Sequence, residues 1–190
     1  MGGERSFTGM ECERVMGLMV KLLGLSLIFL GCCLAGTELE LRLKRQWQFL
    51  SELQEVFTYL EKEMTFHRTP LPEALQHGAS GRKDPVKGLL AEAAEAASKR
   101  DGRTFEEIWS AALEKQVPPE FLTRENFWVV KEAAQALCAH DVVMQKTLFA
   151  RCISRMEEAA GGAFASYQEK GRLYRRLSVT GGAFLVILLC

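Results

Sequence analysis

Side chains that could bind a metal ion or transfer protons are concentrated in one segment, EKEMTFHRTPLPEALQH, at residues 61–77. Glu73 and His77 stand four residues apart, so they would share one face of a helix. His67 or Glu63 could add a third ligand. One hypothesis is therefore a small metal-dependent enzyme that uses His67, Glu73 and His77.

The same segment also fits the end of one helix and the beginning of the next. Pro70 and Pro72 cannot lie inside a helix but suit its first turn. Thr69 could cap the new helix, and Glu73 would favour the positive end of its dipole. We favour this interpretation because the chain contains no HExxH, phosphate-loop, dinucleotide-binding or nucleophile-elbow motif. It predicts a protein that is not an enzyme and that uses no metal or cofactor.

Helical periodicity runs through the middle of the chain. Apolar residues recur at gaps of three or four along one long helix, at Leu43, Trp47, Leu50, Leu53, Phe57, Leu60 and Met64. No run of β-branched residues alternates with polar residues, as a half-buried strand would require. The sequence therefore predicts an all-α fold, a bundle of five or six helices flanked by N- and C-terminal hydrophobic membrane segments.

Three local features make sharper predictions within this bundle. Thr104 and Glu107 have the spacing of a capping box at the start of a helix. Gly161 and Gly162 lie inside the last helix, which predicts either the close approach of another helix or a bend. Trp109 and Trp128 are expected in the core or at contacts between helices.

Residues 19–36, MVKLLGLSLIFLGCCLAG, are predicted to be a transmembrane segment, because no charged residue occurs from Leu22 to Ala35. Met19 could be the true first residue, which would make residues 1–18 an N-terminal extension. Two alternatives stay open for this segment, a cleaved signal peptide and a lipoprotein signal that ends at Cys32.

The chain ends in a second uncharged stretch, residues 177–190, LSVTGGAFLVILLC. As a helix this stretch would be about 21 Å long, shorter than the ~30 Å core of a bilayer. We therefore expect it to cross the membrane with local thinning or to be inserted part-way. The alternative is that it forms the last buried helix of a soluble domain.

Basic residues flank the inner ends of both apolar segments and predict the orientation of the chain. They are Arg42, Lys44, Arg45, Lys170, Arg172, Arg175 and Arg176. By the positive-inside rule, residues 37–176 form a cytoplasmic helical domain between the two segments. The six cysteines include no CxxC pair, which predicts free thiols in a reducing compartment. A net charge of zero gives no support for nucleic-acid binding.

Four segments, taken in order along the chain, resemble those of the stage III sporulation protein AB family. They are MVKLLGLSLIFLG, LEKEMTFHRTPLPEAL, LCAHDVVMQ and YRRLSVTGGAFLVILL. The second contains Glu61, Glu63, Thr69, Pro70, Leu71, Pro72, Glu73 and Ala74, and the third keeps Leu137, Asp141 and Gln145. Cys138 and His140 depart from the glycine and the small hydroxyl residue that are usual at those positions.

This resemblance implies a function that the residue pattern alone does not. The family belongs to the channel, or feeding-tube, apparatus between the mother cell and the engulfed forespore. Its cytoplasmic domain looks like those of the inner-membrane platform proteins of type II secretion and type IV pilus systems. The implied partners are the cytoplasmic secretion-type ATPase of the same apparatus, other channel membrane subunits and the lipid bilayer, with a homo-oligomer left open. The implied location is the mother-cell membrane that surrounds the forespore.

The resemblance also indicates where a partner would bind. The candidate residues are Glu61, Glu63, Thr69, Pro70, Pro72, Glu73, Asp141 and Gln145. Their alternative role is to cap and turn helices, which would explain Thr69, Glu73 and Asp141 without any partner. A general platform protein for secretion or pilus assembly outside sporulation also stays open.

Overall fold

The computed structural model describes residues 5–99, 102–139, 141–171, 173–174, 176–177, 180–181 and 184. Before Leu34, side chains are described at Met19, Leu23, Gly24, Ser26, Leu27, Leu30 and Gly31. The predictions that concern residues 1–4, His140, Arg172, Arg175 and most of 177–190 lie outside the described residues. The chain divides into two compact units, of which the first is Met1–Leu41 with Gln168–Cys190 and the second is Arg42–Tyr167.

The described residues form seven α-helices and two π-helical turns, with no β-strand among them. The α-helices are α1 (Arg5–Lys62), α2 (Leu71–Ala79), α3 (Val86–Ser98), α4 (Phe105–Gln116), α5 (Arg124–Glu132), α6 (Ala134–Cys138) and α7 (Val142–Ser166). The π-helical turns are Glu63–His67 and Tyr167–Gly171. Only Ala133 separates α5 from α6, so these two form one broken helix and the described fold has six helical segments. The prediction of an all-α fold with five or six helices is confirmed.

The segment 19–36 lies entirely within α1, as does the apolar stripe that begins at Leu43. Among the described residues, however, no helix combines the length and the apolar character that a membrane crossing requires. The described large apolar side chains of the first unit are exposed at Met19, Leu23, Leu27, Leu30, Leu34, Leu39, Leu41, Leu173, Leu177 and Phe184.

One face of α1 forms the centre of the core in the second unit. Its buried residues are Phe49, Leu50, Leu53, Val56, Phe57 and Leu60. The Phe57 ring packs edge-on against Trp109 of α4, with ring centres 5.9 Å apart, and lies 6.4 Å from the ring of Phe149 in α7. Each such side chain contributes about 1.5–3 kcal/mol when it is fully buried. The predicted stripe of α1 is therefore confirmed as the core-facing side of that helix.

Contacts at its two ends show that α7 runs antiparallel to the second half of α1. At one end, which we call the basal end, the Trp47 ring stacks on Tyr167 with centres 6.1 Å apart. At the other end, the distal end, the Lys146 ammonium lies 5.1 Å from the centre of the Phe66 ring. Since an α-helix rises 1.5 Å per residue, the distal end lies about 30 Å along α1 from Arg42.

The local predictions have mixed outcomes. The capping box is confirmed, since the Glu107 N–H donates to the Thr104 hydroxyl at 3.4 Å and the Glu107 carboxylate accepts from the Thr104 N–H at 3.0 Å. Of the two alternatives for Gly161 and Gly162, the close approach of another helix is not found among the described residues, because a Cβ at either position would meet nothing within 4 Å. The bend stays a prediction.

The prediction for the two tryptophans is confirmed for Trp109, which is fully buried in the core, and wrong for Trp128, whose side chain is 54% exposed. Phe127 and Val130 occupy the inward face of α5, and successive residues of an α-helix point about 100° apart. Trp128 therefore falls on the outer side of α5, where Lys131 lies 5.3 Å from the centre of its ring.

Candidate partner-binding site

The predicted break between two helices is confirmed, and a π-helical turn forms it. The turn Glu63–His67 ends at Arg68, whose backbone is left-handed with φ 55°. α2 then begins at Leu71, with Pro70 as its N-cap and a proline in its first turn. Prolines at these positions lose no helical hydrogen bond, because the first N–H groups of a helix have no intrahelical partner.

Thr69 does not cap α2, so that prediction is wrong. Its hydroxyl donates to the Glu63 carboxylate at 2.9 Å, and its N–H donates to the Glu63 carbonyl at 3.1 Å. The reason is that the π-helical turn brings Thr69 back towards Glu63, while the helix starts two residues after Thr69. α2 has no side-chain cap, and Glu73 lies in its first turn as predicted.

The Glu63 carboxylate makes its contacts within this turn and with the end of α1. It also lies beside Tyr59, one helical turn earlier, and partial burial together with the charge and hydrogen bond of Glu63 raises the pKa of Tyr59. Glu61 is half-buried, and its carbonyl accepts a hydrogen bond from the Thr65 hydroxyl at 2.6 Å. Two of the predicted partner-binding residues, Glu63 and Thr69, are therefore bonded to each other.

Asp141 and Gln145 form the corner that starts α7. The Asp141 carboxylate accepts from the Met144 N–H at 2.9 Å, which makes it the N-cap of the helix. The Gln145 N–H donates to the Asp141 carbonyl at 2.7 Å, and the Gln145 side chain is only 8% exposed. The capping role that we considered for Asp141 is confirmed, and Gln145 lies beneath the surface of this corner.

The structure brings these two distant segments together at the distal end. Lys146 of α7 lies over the ring of Phe66 in the π-helical turn. Val142 and Val143 stand four and three residues before Lys146, so they lie one turn along the same side of α7. The exposed fractions are 71% for Phe66, 48% for Val142, 74% for Val143 and 57% for Met144. We call these four residues the tip patch.

The candidate metal ligands do not form a site. His67 lies in the π-helical turn, and Glu73 and His77 lie exposed on α2. All three are described, and within the described part of the chain no three His, Cys, Asp or Glu side chains are grouped so that they could hold a metal ion. The metal-site hypothesis is therefore wrong.

A surface pocket of about 550 Å³ lies between the first residue of α2, the start of α4 and the end of α6. It is lined by Leu71, Thr104, Phe105, Glu106, Leu137 and Cys138. Burial, with a smaller effect of the Glu106 charge, raises the pKa of the Cys138 thiol to about 11. Burial raises the pKa of Cys152 in α7 to about 12. Both are free thiols and stay protonated at neutral pH, which makes them poor nucleophiles.

The predicted membrane-flanking residues lie in both units. Arg42 and Lys44 are exposed on α1, and the Arg45 guanidinium lies 3.5 Å from the Glu120 carboxylate. Arg176 is exposed, and its carbonyl accepts from the Thr180 hydroxyl at 2.6 Å.

The family model described as stage III sporulation protein AB matches residues 21–190. The chain belongs to the stage III sporulation protein AB family. A stage III sporulation protein AB from Bacillus subtilis (strain 168) is 23% identical over 171 residues, which cover 90% of this chain and 99% of that protein. A solved structure of a stage III sporulation protein AB matches with a TM-score of 0.59 and 20% identity, over 65% of this chain and 97% of that chain. At this identity the structural likeness shows the fold alone.

None of the four residues of the tip patch is among the predicted partner-binding residues. The sequence contains a pattern that indicates exposed apolar residues here, because Val142, Val143 and Met144 follow one another directly after the N-cap Asp141. Three consecutive residues of a helix span about 200°, so they cannot all face a core on one side. Phe66 had no comparable signal, since its exposure depends on the π-helical turn.

Proposed function

We propose that this protein is a non-catalytic membrane platform of the sporulation channel complex between mother cell and forespore. In this role it couples a cytoplasmic secretion-type ATPase to the other membrane subunits of the channel during endospore formation. Membership of the stage III sporulation protein AB family supports the sporulation part of the proposal. The tip patch is the observation that carries the coupling part.

Exposed apolar residues of the second unit are concentrated at the distal end. Among the described residues 42–167, the exposed large apolar side chains are Phe66, Trp128, Val142, Val143, Met144 and Phe164. Four of these six belong to the tip patch. Exposed large apolar side chains that are concentrated at one end of a well-packed domain are typical of a protein-binding site. The patch is built by the π-helical turn and the corner of α7, which include three of the predicted partner-binding residues, Glu63, Asp141 and Gln145.

The bundle beneath the tip patch is suited to pass a displacement along its length. α1 and α7 are packed together from Trp47 and Tyr167 at the basal end to Phe66 and Lys146 at the distal end. Since packed interiors have low compressibility, a partner that moves the tip patch would move this pair of helices together.

The membrane part of the proposal rests on the sequence. Residues 19–36 and 177–190 would insert in the mother-cell membrane around the forespore, and the basic residues that flank them would keep residues 37–176 in the cytoplasm. Near anionic lipid, each Lys or Arg adds about 1 kcal/mol of attraction. Fractionation of host cells tests this part, since the protein should stay with membranes after a high-salt wash and leave them only in detergent.

Deletion of the gene in its host, followed by complementation, tests the proposed function. We expect the deletion strain to arrest after engulfment, with few heat-resistant spores, and the wild-type gene to restore them. The double variant Phe66→Ala/Val143→Ala should fail to restore sporulation although the protein accumulates, whereas Trp128→Ala should restore it. Normal spore counts in the deletion strain would overturn the sporulation role. Full rescue by the double variant would overturn the coupling role of the tip patch.

A further inference from the structure

We propose that a groove between α5–α6 and α7 binds a small monocarboxylate whose apolar body is about the size of one aromatic ring. The volume of the groove is about 210 Å³, and its lining residues come from the ranges 129–136 and 148–155. An apolar cavity of about 150 Å³ holds one benzene molecule. The groove therefore has room for a ring with a carboxylate and is too small for a partner helix. This site goes beyond the proposed function and does not depend on the tip patch.

The floor of the groove is the edge of the hydrophobic core. It consists of the side chains Val129, Ala133, Ala136, Leu148 and Cys152. The two alanines are buried, and the other three residues are half-buried and pack against the core. Burial also raises the pKa of Cys152 to about 12, so little water reaches this part of the surface. An apolar ligand body would gain free energy by covering the floor.

The rim of the groove carries two guanidinium groups and one carboxylate. Arg155 of α7 donates to the carboxylate of Glu132 of α5, and both residues line the groove. Arg151 also lines it and stands four residues before Arg155, on the same side of α7. Arg151 forms neither a salt bridge nor a hydrogen bond with any residue that the structure describes. The rim thus has one more positive than negative charge, and Glu132 neutralises only one of the two arginines.

The nearest further carboxylates on the two helices do not cancel this excess. Glu158 stands seven residues after Arg151 on α7, and Glu125 stands seven residues before Glu132 on α5. Seven residues of helix correspond to about 10 Å. Surface charges are screened over ~8 Å at physiological ionic strength, so neither glutamate has much effect at Arg151.

A ligand with a single negative charge suits this rim best. A guanidinium can bind a carboxylate through two parallel N–H···O hydrogen bonds. Arg151 and Arg155 carry like charges four residues apart on a helix and repel each other, and a carboxylate bound at Arg151 would offset that repulsion. A phosphate dianion would exceed the single excess charge and would leave the apolar floor uncovered. The structure therefore favours a monocarboxylate with an apolar body.

Cys152 can report directly whether the groove is occupied. It lies in the floor of this groove, whereas Cys138 lines the pocket beside Leu71 and Phe105 and serves as an internal control. The full-length chain in a non-ionic detergent would be treated with iodoacetamide at about pH 9, and alkylation of each cysteine would be followed by mass spectrometry. The probes are benzoate, its uncharged analogue benzamide and inorganic phosphate, all at the same ionic strength.

We expect benzoate to slow the alkylation of Cys152 in a saturable manner and to leave that of Cys138 unchanged. Half-protection should require about 1–10 mM benzoate, the affinity that a ligand of this size can reach. Benzamide and phosphate should protect at least about threefold less well, because each lacks one of the two recognised features.

A matched pair of variants tests the role of Arg151. Arg151→Gln removes the unpaired guanidinium, and the control Lys87→Gln removes the same charge from an exposed position of α3, which does not line the groove. We expect Arg151→Gln to raise the benzoate concentration for half-protection about three- to tenfold and the control to leave it within about twofold. Melting curves would check that both variants fold like the wild-type chain.

Four results would overturn the inference. Equal protection by benzamide would mean that the groove accepts any apolar ring, and equal protection by phosphate would make it a general anion site. Failure of benzoate to protect Cys152, or equal protection in Arg151→Gln and the wild-type chain, would remove the assigned carboxylate site. The proposed role in sporulation would stand in every case, because its test is the rescue of spore formation.

Discussion

Thr69 and Glu63 are joined by two hydrogen bonds, one between their side chains at 2.9 Å and one between their backbones at 3.1 Å. The first holds a charged carboxylate in the partly buried turn that precedes α2.

Replacing Thr69 by valine removes the hydroxyl donor and keeps the shape of the side chain. We expect Thr69→Val to lower the free energy of unfolding by about 1 kcal/mol, because a hydrogen bond to a partly buried carboxylate is lost. Urea denaturation of the full-length chain in detergent would measure it. Thr147→Val is the matched control, since the Thr147 hydroxyl is exposed and donates only to the Val143 carbonyl of its own helix. Equal stability of Thr69→Val and the wild-type chain would contradict the expected role of this contact.

Trp109 stabilises the break between α5 and α6. Its indole N–H donates to the Val130 carbonyl at 2.8 Å, and the side chain is fully buried. The carbonyls in the last turn of a helix lack intrahelical partners, so this donor satisfies one of them. We expect Trp109→Phe to cost about 2–4 kcal/mol, from the lost hydrogen bond and the smaller ring in the core. The exposed Trp128→Phe serves as control and should change the free energy of unfolding by less than about 0.5 kcal/mol.

Arg68 and Gly102 make a reciprocal pair for a test of backbone strain. Arg68 has φ 55° and Gly102 has φ 83°, both in the left-handed region. Arg68→Gly should raise the free energy of unfolding by about 0.5–1 kcal/mol, because glycine adopts this conformation without a Cβ clash. Gly102→Ala should lower it by about 1 kcal/mol for the same reason. A loss of stability in Arg68→Gly would mean that the arginine side chain supports the fold.

The two described free thiols should react slowly at neutral pH. Burial raises the pKa of Cys138 to about 11 from an ordinary value of 9.0, so its thiolate fraction at pH 7 falls about a hundredfold. Modification with iodoacetamide, followed for each peptide by mass spectrometry, should therefore accelerate about tenfold per pH unit up to about pH 11 at Cys138 and about pH 12 at Cys152. Denatured protein is the control, and there the increase should level off near the ordinary pKa. A plateau below pH 9 in the folded protein would contradict the raised pKa values.

Local patterns predicted most of the fold, and long-range contacts produced the exceptions. The capping box of Thr104 and Glu107 was predictable because both hydrogen bonds close within four residues. The core face of α1 was predictable because a single period of three to four residues places Leu50, Leu53 and Phe57 on one side. The membrane segments and the ATPase contact stay predictions.

The candidate site was only partly predictable, for a physical reason. Thr69 was expected to cap a helix, but an extra residue in the π-helical turn directed its hydroxyl to Glu63 instead. The contact between Phe66 and Lys146 involves residues that are 80 positions apart in the chain, so no local spacing predicts it. Exposure of apolar side chains at the distal end depends on which neighbours cover them, so it became visible only in the folded chain.

The π-helical turn Glu63–His67 also controls the direction in which Phe66 points. A residue added to or removed from a helix rotates everything after it by about 100° around the axis. Deleting Thr65 would thus leave the composition of the tip patch almost unchanged while turning its aromatic ring away from Lys146. When relatives are aligned, a one-residue gap at this turn should therefore indicate that the aromatic ring points in a different direction and that the surface at the distal end differs.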